Sequence, residues 1–361
     1  MDIFVYNIII ILFASICLIS KKNTMKTVFY IVIGVQLTLI VGLRDWESCG
    51  IDLYRYYKTY DYLVNGSLDS SFDIREGSSI LFFLTMALCS KIGISYQTFV
   101  SIISIIFIIT IIVLYKKKTN YPLISIFLFL GMGVFVFSFS GLKQVIAMTL
   151  VIWSYILFES ENKIIAYVLL FCAMLYHPTA IIFLPFLLVK NIPVTKIILI
   201  ISMVVFSVFL VFRMQIGLFL TLLYAEEYAD RYESTGSLTS TALFMIILFL
   251  LLLFYKPRNK KYSFVVKKSY FTSFYILYFA VLIQICSSFA YSFTRLNYFY
   301  MLFLPIAVSN IIDFSKQNKF LSITGIKYAL FSIVIIALMY KLYMGGIESE
   351  ELENYKFLIK I

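Results

Sequence analysis

The stretch "IFVYNIIIILFASICLIS", residues 3–20, carries no charged side chain over 18 positions, close to the roughly 20 apolar residues a helix needs to cross a bilayer. Blocks of the same kind recur near residues 25–43, 96–115, 121–140, 142–158, 194–212, 239–255, 270–289, 295–313 and 325–344. Three shorter ones lie at 78–92, 164–176 and 178–189, the last two meeting at His177-Pro178, where proline disfavours helix in the residue before it. Unbroken blocks of this length exclude a transmembrane β-barrel, whose strands alternate over about 10 residues. The expectation is an all-α polytopic membrane protein of about 12 transmembrane helices, within roughly 10–14. Residues 1–361 read as a single integral membrane domain, with no internal repeat.

Composition agrees with that reading. Of 361 residues, 62% are hydrophobic and 14% charged, with a mean hydropathy of +0.95, whereas soluble domains are close to half apolar and about a quarter charged. A net charge of +11 would suggest nucleic acid for a soluble chain. Here the cations stand between apolar blocks, at Lys116–Lys118, between Lys256 and Lys261, and at Lys267-Lys268. There they act as cytoplasmic topology signals against anionic lipid, so membrane lipid is the expected partner and nucleic acid is not. Four of the five cysteines lie in apolar blocks without metal-ligand spacing, and neither a disulfide framework nor a metal or cofactor site is expected. The first block lacks a basic start and a small-residue cleavage signal, so it is expected to persist as the first helix.

Basic loops orient the second half of the chain. Lys190 and Lys196, then Lys256 to Lys268, then Lys316, Lys319 and Lys327 recur in every second loop, which makes those loops cytoplasmic and residues 213–238 extracytoplasmic. The first half conflicts with itself. Lys21, Lys22 and Lys26 put residues 44–77 outside, yet two full spans over 78–115 would then put Lys116–Lys118 outside too. The conflict disappears if 78–92 is re-entrant or lies in the membrane plane, which a short element can do when it lines a protein cavity. With 164–176 and 178–189 as separate helices, Lys116–Lys118 is cytoplasmic and Lys143 and His177 both fall on the extracytoplasmic side. Residues 345–361 read as a short polar tail.

An ionisable group in or at the end of a membrane span costs several kcal/mol, so Arg44, Lys143, His177 and Arg295 each require a partner or a ligand. Each also has a plainer reading. Arg44 could snorkel and pair with Asp45 or Glu47, Lys143 could be a topology signal, and His177, the only histidine, could cap a broken helix. Asp52 and Glu76 are carboxylates of the 44–77 connection, available as general base or acceptor-binding groups, or merely solvated. Tyrosine clusters in 54–62 and 291–300 suit membrane interfaces, and Tyr56 and Tyr57 could instead stack on sugar faces. No metalloprotease, serine hydrolase, Walker or dinucleotide fingerprint occurs, which argues against those chemistries.

Four stretches go further together than separately. "VGLRDWESCGIDLYRYYKTYDYL" (41–63) ends a membrane helix in Gly-Leu-Arg and follows it with Gly50, Asp52, Tyr56 and Tyr57. It resembles the opening of the EpsG-type branch of the Wzy family, bacterial membrane polymerases that join lipid-linked oligosaccharide units. "FSFSGLKQVIAMTLVIWSYILF" (137–158) is similar to that family's Arg-Gln helix start, "LLFCAMLYHPTAIIFLPFLLV" (169–189) to its His-containing segment, and "TRLNYFYMLFLPIAV" (294–308) to a late helix. The chain departs from the pattern at Lys143, where the family usually has arginine, and a lysine acts on phosphate only as a point charge.

The resemblance implies a GT-C-like architecture in the bacterial cytoplasmic membrane. It implies a metal-independent glycosyltransferase that moves a growing glycan from a polyprenyl-pyrophosphate carrier onto an incoming lipid-linked repeat unit, for capsule, exopolysaccharide or O-antigen, with a chain-length regulator as a further partner. Arg44, Lys143, Gln144 and Arg295 then become candidate pyrophosphate and sugar ligands, joined by Tyr56, Tyr57 and Glu76. His177 and Asp52 become catalytic candidates, His177 either deprotonating the acceptor hydroxyl or hydrogen-bonding the leaving pyrophosphate. A lipid-linked oligosaccharide flippase and a membrane O-acyltransferase are the competing readings. The first should show charges deep in several spans and inverted repeats, and the second an Arg/His motif near the first helix. Neither feature occurs.

Overall fold

The computed structural model describes residues 3–20, 22–48, 50, 52–65, 79–224, 240–254, 264–287 and 292–317. All regular structure among them is helical. The described residues fall into two compact units that divide between Ile181 and Ile182.

The first unit contains α1 (Ile3–Ser15), α2 (Asn23–Gly42), α3 (Leu53–Asn65), α4 (Ile80–Lys91), α5 (Tyr96–Lys118), α6 (Pro122–Gly131), the single turn α7 (Val134–Phe137), α8 (Leu142–Glu159) and α9 (Lys163–Tyr176). Its frame is the antiparallel pair α2 and α5. At one end Lys26 Nζ donates to the Thr119 carbonyl at 2.6 Å; at the other Ser101 donates to the Gly42 carbonyl at 2.5 Å and Gln97 Nε2 to the Arg44 carbonyl at 2.9 Å. The 23 residues of α5 span about 34 Å at 1.5 Å per residue, enough to cross a hydrocarbon core of roughly 30 Å.

Lys26 and Lys116–Lys118 therefore share one end of the unit, and α3 and α4 leave from and return to the other. Twelve residues of α4 reach only about 18 Å, too short to cross. The helices α8 and α9 form a hairpin through a three-residue turn, with Ser154 Oγ donating to the Ala166 carbonyl at 2.7 Å. The far end of α8 returns to the basic end, where Glu159 stands 3.6 Å from Lys118 Nζ.

Part of the connection 44–77, Leu53–Asn65, is a helix. Leu53, Tyr56, Tyr57 and Tyr60 recur at helical spacing and face inward, Leu53 and Tyr60 fully buried, while Tyr54, Arg55, Lys58, Asp61 and Tyr62 are exposed. That periodicity makes α3 amphipathic. Tyr96 donates to the Leu53 carbonyl and Tyr60 to the Ile94 carbonyl, both at 2.6 Å, tying α3 to the start of α5.

The second unit contains α10 (Leu184–Val189), α11 (Lys196–Val211), α12 (Arg213–Tyr224), α13 (Ser240–Phe254), α14 (Phe264–Cys286), α15 (Ser292–Met301) and α16 (Leu304–Gln317). Its centre is α14, against which all the others pack. Asn297 of α15 is fully buried and donates to the Ala280 carbonyl at 2.9 Å and to Gln284 Oε1 at 2.8 Å. Tyr300 donates to the Ile182 carbonyl at 2.7 Å.

Among the described residues four helices are long and apolar enough to cross a membrane, or five if the pair α15 and α16, bent by 52°, counts as one span. This is a multi-pass membrane protein, and the other apolar helices among the described residues are 10–17 residues long. Block 121–140 breaks at Gly133, whose φ of +82° is left-handed, and the short blocks 164–176 and 178–189 meet at His177-Pro178, after which residues 178–183 form a tight three-ten turn. Block 325–344, the tail 345–361 and Glu76 lie outside the described residues, as does much of 213–238.

Candidate functional site

Three of the four quoted stretches meet at the end of the first unit opposite Lys116–Lys118. The segment after α2 is held there by a polar stripe on α5. Gln97, Ser101 and Ser104 lie at i, i+4 and i+7 on one helix face. Gln97 accepts from the Trp46 amide at 3.1 Å and donates to the Arg44 carbonyl, Ser101 donates to Gly42, and Ser104 Oγ accepts from Arg44 Nη1 at 2.9 Å. These three residues were not singled out by the sequence reading. Their signal was available as polar residues at helical spacing in an otherwise apolar span, which in a membrane mark a packed face.

Arg44 is fully enclosed. Its guanidinium donates to the Val41 carbonyl, to Ser104, and to the Phe139 carbonyl at 3.0 Å, and lies 5.3 Å from the centre of the Phe139 ring. The arginine that begins the first motif therefore grips the turn that precedes the second. Gly50 closes on the same carbonyl. Its φ is +98°, and a Cβ there would lie 2.5 Å from the Phe139 oxygen, so both conformation and space demand glycine.

That turn launches α8. Gly141 is its N-cap, Lys143 and Gln144 occupy the first turn, and α8 carries no side-chain N-cap hydrogen bond from Gly141. Lys143 is half-buried, its Nζ 5.3 Å from the centre of the Tyr56 ring and 5.7 Å from that of Phe82. Gln144 is buried. Tyr56 meets Phe82 edge to face at 5.1 Å, while Tyr57 stacks on Trp46 at 4.2 Å. The tyrosines offered for sugar stacking thus pack against the protein's own rings, half-buried and facing Lys143 in the case of Tyr56. Asp52 is half-buried, and its carbonyl accepts from the Tyr56 amide at 3.2 Å in the first turn of α3.

His177 ends α9, its amide donating to the Ala173 carbonyl at 2.8 Å and its Nδ1 hydrogen-bonded to Thr179 Oγ1. Its height follows from the hairpin. Ser154 and Ala166 are bonded across it, Lys143 lies eleven residues before the first and His177 eleven after the second, so both stand about 16 Å further along, at the same level. A second link runs through α4. Phe82 faces Lys143, and one turn on Thr85 is hydrogen-bonded to the Tyr176 hydroxyl at 2.8 Å.

The structure thus brings Arg44, Asp52, Tyr56, Tyr57, Lys143, Gln144 and His177 to one end of one unit. Arg295 belongs to the second unit, half-buried on α15 two residues before Asn297. Among the described residues no three His, Cys, Asp or Glu side chains group closely enough to hold a metal ion.

The EpsG family model matches residues 26–357. No curated protein and no solved structure matches the chain. With the Gly-Leu-Arg, Gly-Leu-Lys-Gln and His-Pro stretches gathered at one end of a helical membrane unit and the family match running over nearly the whole chain, this protein belongs to the EpsG family, whose members are Wzy-type polysaccharide polymerases.

Proposed function

We propose that the protein extends a polysaccharide at the outer face of the bacterial cytoplasmic membrane, moving the growing glycan from its polyprenyl-pyrophosphate carrier onto the non-reducing-end sugar of an incoming lipid-linked repeat unit. The observation that carries this reading is the placement of the candidate residues at the end of the first unit opposite Lys26 and Lys116–Lys118. Lys26 and Lys116–Lys118 lie at one end, and Lys143 with His177 lies at the other. By the positive-inside rule the basic end is cytoplasmic, so the other opens where flipped lipid-linked units are presented. About 12 spans and a GT-C-like architecture belong to the same reading.

In this mechanism an acceptor hydroxyl oxygen attacks the anomeric carbon, the bond from that carbon to the pyrophosphate oxygen breaks, and the lipid pyrophosphate departs. Lys143, at the N-terminus of α8, offsets the negative charge that builds on the leaving group, aided by the helix dipole. Gln144 donates to a phosphate or sugar oxygen. His177 accepts the hydroxyl proton or hydrogen-bonds the departing pyrophosphate, with Asp52 as the other described base and Tyr56 lining the approach to Lys143. Holding both lipid-linked sugars at one membrane surface supplies the proximity term. No nucleotide energy source is needed, because the sugar–pyrophosphate bond is itself activated.

Deletion in the native host followed by electrophoresis of lipid-linked and surface glycans tests the reading. The expected result is loss of the polymer ladder with retention of a single-repeat species. An unchanged ladder, or repeat units trapped on the cytoplasmic side, would overturn it.

A further inference from the structure

We infer that Arg44 is a positioning residue that acts through the Phe139 carbonyl to fix the turn presenting Lys143, and that it does not touch substrate. This rests on the polymerase reading. A phosphate ligand must reach its ligand, yet Arg44 has no exposed surface and its fork is directed at three protein oxygens, those of Val41, Ser104 and Phe139.

The Phe139 carbonyl is the informative partner. It lies between α7 and α8, where the backbone is not in a continuous helix, and in a residue as buried as Phe139 such a carbonyl requires a donor. Arg44 supplies one, the guanidinium lies over the ring of the same residue, and Gly50 closes against the same oxygen. From Phe139 the chain to Lys143 is short and stiff. Ser140 accepts from the Leu142 amide at 2.8 Å, and Gly141 is pressed against the Phe137 ring. A displacement of the Phe139 carbonyl is therefore passed to the first turn of α8. Lysine cannot replace this arginine, because an ammonium on a single stem does not present a planar fork to Ser104 and Phe139 together.

The test is a double-mutant cycle on the full chain, purified and reconstituted in liposomes with lipid-linked repeat units. R44K is expected to lower the initial extension rate at least tenfold in the wild-type background and less than twofold in the K143A background, because its effect runs through Lys143. Equal losses in both backgrounds would make Arg44 an independent ligand and overturn the inference. S104A, which removes one bond and leaves the arginine in place, is expected to give a smaller loss with the same dependence on Lys143, and it carries the test if Arg44 variants do not fold. A readout independent of catalysis is acylation of Lys143 by a water-soluble N-hydroxysuccinimide ester, followed by mass spectrometry. R44K and S104A should change that rate at least threefold, and an unchanged rate overturns positioning. A wild-type protein that extends nothing, with the labelling shift intact, overturns the polymerase reading alone.

Discussion

Replacing Gly141 by alanine tests whether the start of α8 is set by packing against Phe137. The Gly141 φ of −76° suits any residue, so backbone strain contributes nothing and the whole effect is steric. An added Cβ would lie 2.6 and 2.7 Å from Phe137 Cε1 and Cε2, and closer still to Cζ. Carbon atoms separate at about 3.5 Å or more, so the ring must retreat by more than about 1 Å. Phe137 is buried and has little room to do so. Overpacking of this kind costs about 1–3 kcal/mol. For a unit of this size each kcal/mol lowers the melting temperature by about 2–4 °C, so thermal unfolding of the purified protein in detergent should show a fall of about 2–12 °C. A smaller side chain at 137 should relieve the clash. F137L with G141A should melt higher than the sum of the single losses predicts, by a coupling of at least about 0.5 kcal/mol. Because Gly141 leads directly into Lys143, polymer length in a complemented deletion strain should follow the same order. A G141A protein that melts with the wild type, or strictly additive losses in the double variant, would refute the packing argument.

Further expectations follow from the same geometry. Q97L keeps the volume of Gln97 but removes the partners of the Trp46 amide and the Arg44 carbonyl; with about 0.5–1.5 kcal/mol for each hydrogen bond lost, it should lower thermal stability more than S101A, and equal melting would contradict the stripe. A single cysteine at Lys58, exposed on α3, should react with a membrane-impermeant thiol reagent on intact cells or spheroplasts, whereas one at Lys117, exposed at the other end of α5, should react only after permeabilisation; reaction of both from outside would refute the assignment of ends. Burial pushes the Tyr60 phenol from 10.0 up to about 12. The folded state therefore keeps it neutral while the unfolded chain ionises, so stability falls as pH rises from 10 to 12, and Y60F should show a shallower fall of melting temperature over that interval.

The composition and the apolar blocks were enough to establish a helical multi-pass membrane protein, because lipid leaves the backbone no other open way to satisfy its hydrogen bonds. The break at His177-Pro178 was equally legible, since proline constrains the residue before it wherever the chain goes. The motifs around Arg44, Lys143 and His177 could be read as belonging together, through resemblance and through the cost of ionisable groups in membrane spans. Their meeting at one end was decided by the tertiary structure. It depends on α2 and α5 being antiparallel and on the register of the α8–α9 hairpin, which are fixed by hydrogen bonds between residues 93 apart in the case of Lys26 and Thr119. The direction of the Arg44 side chain was also hidden in the sequence. An arginine after a membrane helix can face water, phosphate or protein, and only the fold supplies the Phe139 carbonyl and Ser104 that turn it inward. The amphipathic α3 was missed because its inward face is made of tyrosines, a residue that suits interfaces and cores alike; it is the aromatic rings of Trp46, Phe82 and Tyr96 on neighbouring segments that decide which tyrosines are buried.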